Sequence, residues 1–201
     1  MKLISRILMR ALVLGAIALL PSCALLKKPL PVTQLQLALD ATRMQMPPDM
    51  QVKTLKARAI LQTDRVIVIQ GAQVMQHAGV RWVAEPAALL REELSMMGAD
   101  VSARLGKNRA APEKPVQLEI WLHDFNIEVL AGGDTRILVS ARANIQCIGA
   151  AKSAPLPVAA FSVPLNSVDP QRIAEGFNAA ASSTFRTLLA SGAEYCRALK
   201  R

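Results

Sequence analysis

Val116-Gln117-Leu118-Glu119-Ile120-Trp121-Leu122-His123-Asp124-Phe125-Asn126-Ile127-Glu128-Val129 is the stretch that decides the fold. Val116, Leu118, Ile120 and Leu122 alternate with residues of the opposite face, the period of a half-buried strand. At His123-Asp124 the phase slips by one, and Phe125, Ile127 and Val129 carry the apolar face from there. The returning stretch keeps one phase. Ile137, Val139, Ala141, Ala143, Ile145 and Cys147 lie on one side, and Arg136, Arg142, Asn144 and Gln146 on the other. A strand that slips beside one that does not predicts a β-bulge, because one extra residue restores every inward partner. A three-residue loop, Gly132-Gly133-Asp134, pairs Val129 with Ile137, Ile127 with Val139 and Phe125 with Ala141. The extra residue then falls at His123-Asp124 opposite Arg142, and Leu122 meets Ala143, Ile120 meets Ile145 and Leu118 meets Cys147.

The flanking segments supply the remaining layers. Leu35, Leu37 and Leu39 alternate with Gln34, Gln36 and Ala38, which predicts a strand over Thr33 to Asp40. Ala41 to Asp49, with Pro47-Pro48, reads as a loop. Val52 to Ile60 is a weaker strand, and Val66-Ile67-Val68-Ile69 has the β-branched run of a strand buried on both faces. Gly71 to Gly79 fits a further strand or a loop. Pro86 suits the first turn of a helix, Leu89, Leu90, Leu94 and Met97 recur at helical spacing, and Gly98 is the expected stop. Val158 to Val163 reads as a strand with Ala159, Phe161 and Val163 on one face. Asp169-Pro170 is an N-cap followed by Pro at N1. Ile173, Phe177, Ala181, Phe185, Leu188 and Leu189 then form the stripe of a long C-terminal helix, which Tyr195, Cys196 and Leu199 would extend past a bend or break at Gly192. The expected fold is α+β: a mixed, largely antiparallel sheet with two amphipathic helices packed on one face.

The N-terminus carries an address. Lys2, Arg6 and Arg10 precede the uncharged apolar run Ala11 to Leu20, too short to span a bilayer, which needs about 20 residues. Leu20-Pro21-Ser22-Cys23 resembles the lipobox of bacterial lipoproteins, which implies a signal peptide over 1–22 and lipidation of Cys23. Ser22-Cys23-Ala24 also fits an ordinary small-x-small cleavage site, which would discard the cysteine and free Leu25. Residues 23–32, with Lys27, Lys28, Pro29 and Pro31, read as a short extended tether, and 33–201 as a single α+β periplasmic domain. Removing the signal takes three of the 24 basic residues and none of the 15 acidic ones, lowering the net charge from +9 to +6. The remaining basic residues are dispersed, and with two Trp, one Tyr and four Phe there is no aromatic-basic platform for nucleic acid.

Cys147 and Cys196 remain as an even pair in an oxidising compartment. One falls on the inward face of the hairpin and the other on the helix stripe, so the readings are a disulfide or two buried thiols. His77 and His123 lack metal-ligand spacing with Cys, Asp or Glu. Met44, Met46 and Met50 read as apolar or loop methionines, with soft-metal binding the alternative. There is no nucleophile elbow, P-loop or paired-carboxylate pattern. No catalytic residue, metal or cofactor is therefore expected.

Asp64-Arg65, the Val66–Ile69 run and Arg81-Trp82-Val83-Ala84-Glu85-Pro86 before a Leu-rich helix together resemble the ABC-type transport auxiliary lipoprotein component family (PqiC/YmbA-like). The family pattern is Arg-Trp-Ala-Glu-Pro, and Val83 stands here as an added residue. Arg81, Trp82, Glu85 and Pro86 have two readings. Trp82 packs the start of the helix while Arg81 pairs with Glu85 or caps carbonyls, or this edge binds a partner, since Trp and Arg are favoured interface anchors. The resemblance implies a lipoprotein on the periplasmic face of the outer membrane of a Gram-negative envelope. It would work beside an MCE-domain protein and an ABC permease and ATPase that move lipids or other hydrophobic molecules, and a homo-oligomer is compatible with it. The alternatives are an envelope-assembly or secretin-pilot-like lipoprotein and a periplasmic small-ligand binder.

Overall fold

The computed structural model describes residues 31–42, 44, 46–47, 49–104 and 116–199, with 100–104 described by backbone alone. The signal segment, Cys23 and most of the tether lie outside the described residues. The chain divides between Pro31 and Val32, and Val32–Arg201 form one unit. Its elements are β1 (Thr33–Leu35), β2 (Met50–Ala57), a 3-10 turn (Ala59–Leu61), β3 (Arg65–Gln70), β4 (Gln73–Trp82), α1 (Pro86–Arg104), β5 (Val116–Val129), β6 (Thr135–Gln146), β7 (Ala154–Pro155), β8 (Ala159–Pro164) and α2 (Pro170–Ala198).

β5 is the long central strand. One of its edges is shared: β2 lies parallel to Val116–Leu122 and β3 lies parallel to Asn126–Val129. β6 runs antiparallel along the other edge and is flanked in turn by β7 and β8. β4 pairs antiparallel with β3, and the short β1 pairs parallel with β4, so the eight-stranded sheet is mixed and open.

The bulge is present. Leu122 pairs with Ala141 and Asp124 pairs with Ser140, which leaves His123 as the extra residue. The expected register is corrected by two. Ile127 pairs with Ile137, Phe125 with Val139, Ile120 with Ala143 and Leu118 with Ile145. A shift of two moves no side chain to the other face, so apolar matching does not detect it. The turn decides it. The Leu130 N–H donates to the Asp134 carbonyl at 2.8 Å, and the Gly133 N–H donates to the Leu130 carbonyl at 2.9 Å. Gly133 has φ 87°, so the left-handed residue that closes a three-residue hairpin loop must be this glycine.

Leu118, Ile120, Leu122, Phe125, Ile127, Ile137, Val139, Ala141, Ala143 and Ile145 share the covered face and are at most 2% exposed. α2 lies over β6 with Ile173, Phe177, Ala181, Phe185, Leu188 and Leu189 buried. Its first turn is capped by Asp169, whose carboxylate accepts the Gln171 N–H at 2.9 Å. A Cβ on Gly176 would collide with Ile137 Cδ1, and one on Gly192 would come within 2.9 Å of Ile145 Cδ1. These glycines allow close approach of the helix to the sheet, and the helix runs unbroken through Gly192. Leu199 does not extend the stripe, being 57% exposed just past the helix end.

α1 buries Leu89, Leu90, Leu94 and Met97, and Arg91 donates to the Leu55 carbonyl of β2 at 2.9 Å. Gly98 does not stop this helix, which continues to Arg104. Gly98 instead makes room for Met46, whose Sδ would lie 3.4 Å from a Cβ at that position. Met44, Met46 and Met50 are core residues, each at most 4% exposed. Ala159, Phe161 and Val163 pair with Ala141, Val139 and Ile137 and share one face as expected. Ala159 is buried, but Phe161, on the outermost strand, is 42% exposed. β3 is buried on both faces only at Val66 and Ile67, while Val68 and Ile69 are half-buried.

Cys147, just past β6, and Cys196, in the last turn of α2, are joined in a disulfide with Cα atoms 5.5 Å apart and 49 residues between them in sequence. The bridge ties the helix end to the sheet. In the chain-entropy account a loop of this length contributes about 4 kcal/mol. Replacing both cysteines by serine is expected to lower the unfolding free energy by about that amount in urea. Coincident unfolding curves for the parent and the double variant would show that the crosslink carries no stability.

Candidate partner-docking region

The signature residues lie where β4 hands over to α1, and their roles divide by burial. Trp82 is the last residue of β4 and is 1% exposed. Its ring lies 5.3 Å from Phe125 and 5.0 Å from Phe177, and those two phenylalanines stack at 4.6 Å. The cluster joins β4, β5 and α2 at one point of the core. The Trp82 Nε1–H is buried and meets no acceptor among the described residues. An orphaned donor costs about 1–3 kcal/mol. Burying up to about 250 Å² of indole at about 25 cal/mol per Å² contributes about 6 kcal/mol, so the ring wins.

The backbone around the ring is fixed on both sides. The Trp82 N–H donates to the Asp64 carbonyl at 2.7 Å, and the Val83 N–H donates to the Leu35 carbonyl at 3.0 Å. The Glu85 carbonyl accepts from Ala88 at 2.9 Å and Leu89 at 3.1 Å, which opens α1, and Pro86 is buried at N1. Arg81 pairs with Asp64, Nη1 to Oδ2 at 3.8 Å, and not with Glu85. Asp64 also holds Arg65, Nε to Oδ1 at 3.7 Å. The Asp64-Arg65 pair and Arg81 are thus one ion-pair cluster laid across β3 and β4. With side chains about 40% exposed it contributes little to stability. The surface that remains for a partner is the rim above the buried tryptophan: Asp64, Arg65, Arg81, the 49% exposed Val83 and the exposed Glu85.

The segment leading from β1 is also bound here. Thr33–Leu35 forms β1, but Gln36–Asp40 leaves the sheet although its alternation continues, with Leu37 and Leu39 buried. Its backbone donors go to side chains of both helices. Ala38 N–H donates to Asn178 Oδ1 at 3.0 Å, Leu39 N–H to Glu93 Oε2 at 3.0 Å, and Asp40 N–H to Ser182 Oγ at 2.9 Å. The strip lies between α1 and α2 and replaces a strand ladder by side-chain acceptors. Glu93, off the apolar stripe of α1, finds its use there.

The uncovered sheet face is polar. Lys53 pairs with Glu119 at 3.0 Å, Arg136 with Glu128 at 2.7 Å, and Arg142 lies 5.5 Å from the centroid of Trp121. A cavity of about 470 Å³ there is lined by Lys53, Gln117, Glu119, Asn144, Gln146 and Lys152, among others. Among the described residues no group of three or more His, Cys, Asp or Glu is placed to hold a metal ion.

Trp82→Ala is expected to lose about 3–5 kcal/mol in urea unfolding, whereas Trp82→Phe, which keeps an aromatic ring and removes the orphaned N–H, loses markedly less. A Trp82→Ala protein of parental stability would refute the structural role.

No family model matches the sequence, and no curated protein matches it. Solved structures do. A Xanthomonas campestris protein of the DUF330 family superposes with a TM-score of 0.58 at 16% identity, over 84% of this chain and 99% of that one. An uncharacterised protein superposes with a TM-score of 0.50 at 12% identity, over 86% of this chain and 99% of that one. DUF330 is the PqiC/YmbA-like family, so the chain shares its α+β fold with a structure from the family that its Arg81–Pro86 signature resembles.

Proposed function

We propose that the chain is a lipoprotein anchored through Cys23 on the periplasmic face of the outer membrane, where it serves as a non-catalytic docking component of an MCE-type ABC transport system for lipids or other hydrophobic molecules. One observation carries this reading. The Asp64-Arg65 and Arg81–Pro86 signature, recognisable in sequence, forms one clamp at the β4–α1 junction of a fold shared with a DUF330 structure. The lipobox-like Leu20–Cys23 supplies the anchor. The partner reading places an MCE-domain protein on the exposed rim of the clamp, with Val83 as the apolar contact and Arg81, Arg65 and Glu85 as its polar surround.

Two measurements test it. Intact mass of the mature protein is expected to show a lipid-modified Cys23, and a free Leu25 amine would remove the anchor. Full-length protein is expected to co-purify with the MCE-domain protein of its own genome. Val83→Asp should fold normally and weaken that complex about tenfold, the equivalent of about 1.4 kcal/mol. No co-purification of the parent protein would overturn the docking role.

A further inference from the structure

The end of the sheet that holds both long hairpin turns exposes several large apolar side chains. β3 and β4 turn at Gly71-Ala72, and β5 and β6 turn at Ala131-Gly132-Gly133. Gln70 pairs with Val129, so the two turns lie side by side. Val74 is 52% exposed, Met75 39% and Leu130 37%, and Val168, just before the cap of α2 at the same end, is 62% exposed. Neither turn contains a lysine or arginine, and Asp134 is the single charge between Leu130 and Asp134.

β1 runs parallel to β4, with Thr33 opposite Val80 and Leu35 opposite Trp82. β4 starts at the turn, so β1 likewise enters the sheet from its turn end. Val80 sits level with the start of β3, about four residues or roughly 13 Å short of the turn. Nine residues lie between Cys23 and Thr33, and the ten residue steps from one to the other can span at most about 35 Å. A chain lipidated at Cys23 can therefore set the turns on the bilayer that holds the lipid.

We propose that the β3–β4 and β5–β6 turns are a membrane-contacting tip, in which Val74, Met75, Leu130 and Val168 enter the interfacial zone of the phospholipid layer. This rests on the lipid anchor of the proposed function. Apolar side chains carry such contact by burial to about 5–10 Å; Asp134 is the charged group within the turns, and Asp169, beside Val168, has its carboxylate engaged by the Gln171 N–H at the start of α2. The tip fixes the orientation of the domain. The signature clamp, partway along the sheet, then stands clear of the membrane at the side, and the Cys147–Cys196 end points into the periplasm.

Tryptophan reporters in the lipidated full-length protein, reconstituted in phosphatidylcholine vesicles with brominated acyl chains, test the tip. Leu130→Trp and Val74→Trp are expected to be quenched at least about twofold more than Ile148→Trp, an exposed position at the opposite end of β6. Vesicle flotation is read in parallel. Floating protein in which Leu130→Trp and Val74→Trp are quenched no more than Ile148→Trp overturns the tip and leaves the anchor standing. Protein that does not float overturns the anchor and the tip together.

Discussion

Phe125 meets Trp82 and Phe177 because β5 carries one extra residue at His123. Without it, the alternation that buries Leu118, Ile120 and Leu122 would send Phe125 to the polar face of the sheet and leave the indole without its neighbour. With it, a residue from β5, one from β4 and one from α2 converge within about 5 Å ring to ring. The bulge sits where β2 gives way to β3 along the edge of β5. The same local irregularity thus marks the change of neighbour and turns the aromatic side chain inward. Apart from Phe185, the rest of the core is mainly aliphatic packing around this point, aided by Gly176 and Gly192, which let α2 lie close to Ile137 and Ile145.

The surface follows from that core. Because the tryptophan of the signature is consumed by packing, its neighbours are held in fixed positions at the surface. Asp64 receives the Trp82 N–H on its carbonyl and sets its carboxylate between Arg65 and Arg81. The helix that follows starts at Glu85 and Pro86 with no freedom to slide. A docking surface gains from such pre-organisation, since little conformational entropy is lost when the partner arrives. The strip Gln36–Asp40, bonded to Asn178, Glu93 and Ser182, ties the route from the N-terminus to both helices.

The parts legible in the sequence were those with a local periodic cause. The phase slip at His123-Asp124 announces the bulge, Asp169-Pro170 announces the start of α2, and the stripe from Ile173 to Leu189 gives its buried face. The parts that were not legible depend on distant partners. A two-residue register error preserves every face, and only the left-handed conformation at Gly133 removes it. Leu35, Leu37 and Leu39 have one pattern whether they lie in a sheet or between two helices. The acceptors that decide the matter are 54 to 142 residues away. Gly98 reads as a stop by its propensity, but contact with Met46 gives it a packing reason inside α1. Arg81 has Glu85 four residues away in the chain, yet the strand pairing brings Asp64 to it. The Trp82 environment was legible only in part, since nothing local links it to Phe125 or Phe177.

The central claim is that the signature tryptophan is a core hub coupled to a bulge-directed phenylalanine. A double-mutant cycle of Trp82→Leu and Phe125→Leu, read by urea unfolding, measures that coupling most directly. The account predicts an interaction energy of about 0.5–1.5 kcal/mol beyond the sum of the single changes. Additive effects, with a coupling below about 0.3 kcal/mol, would contradict it.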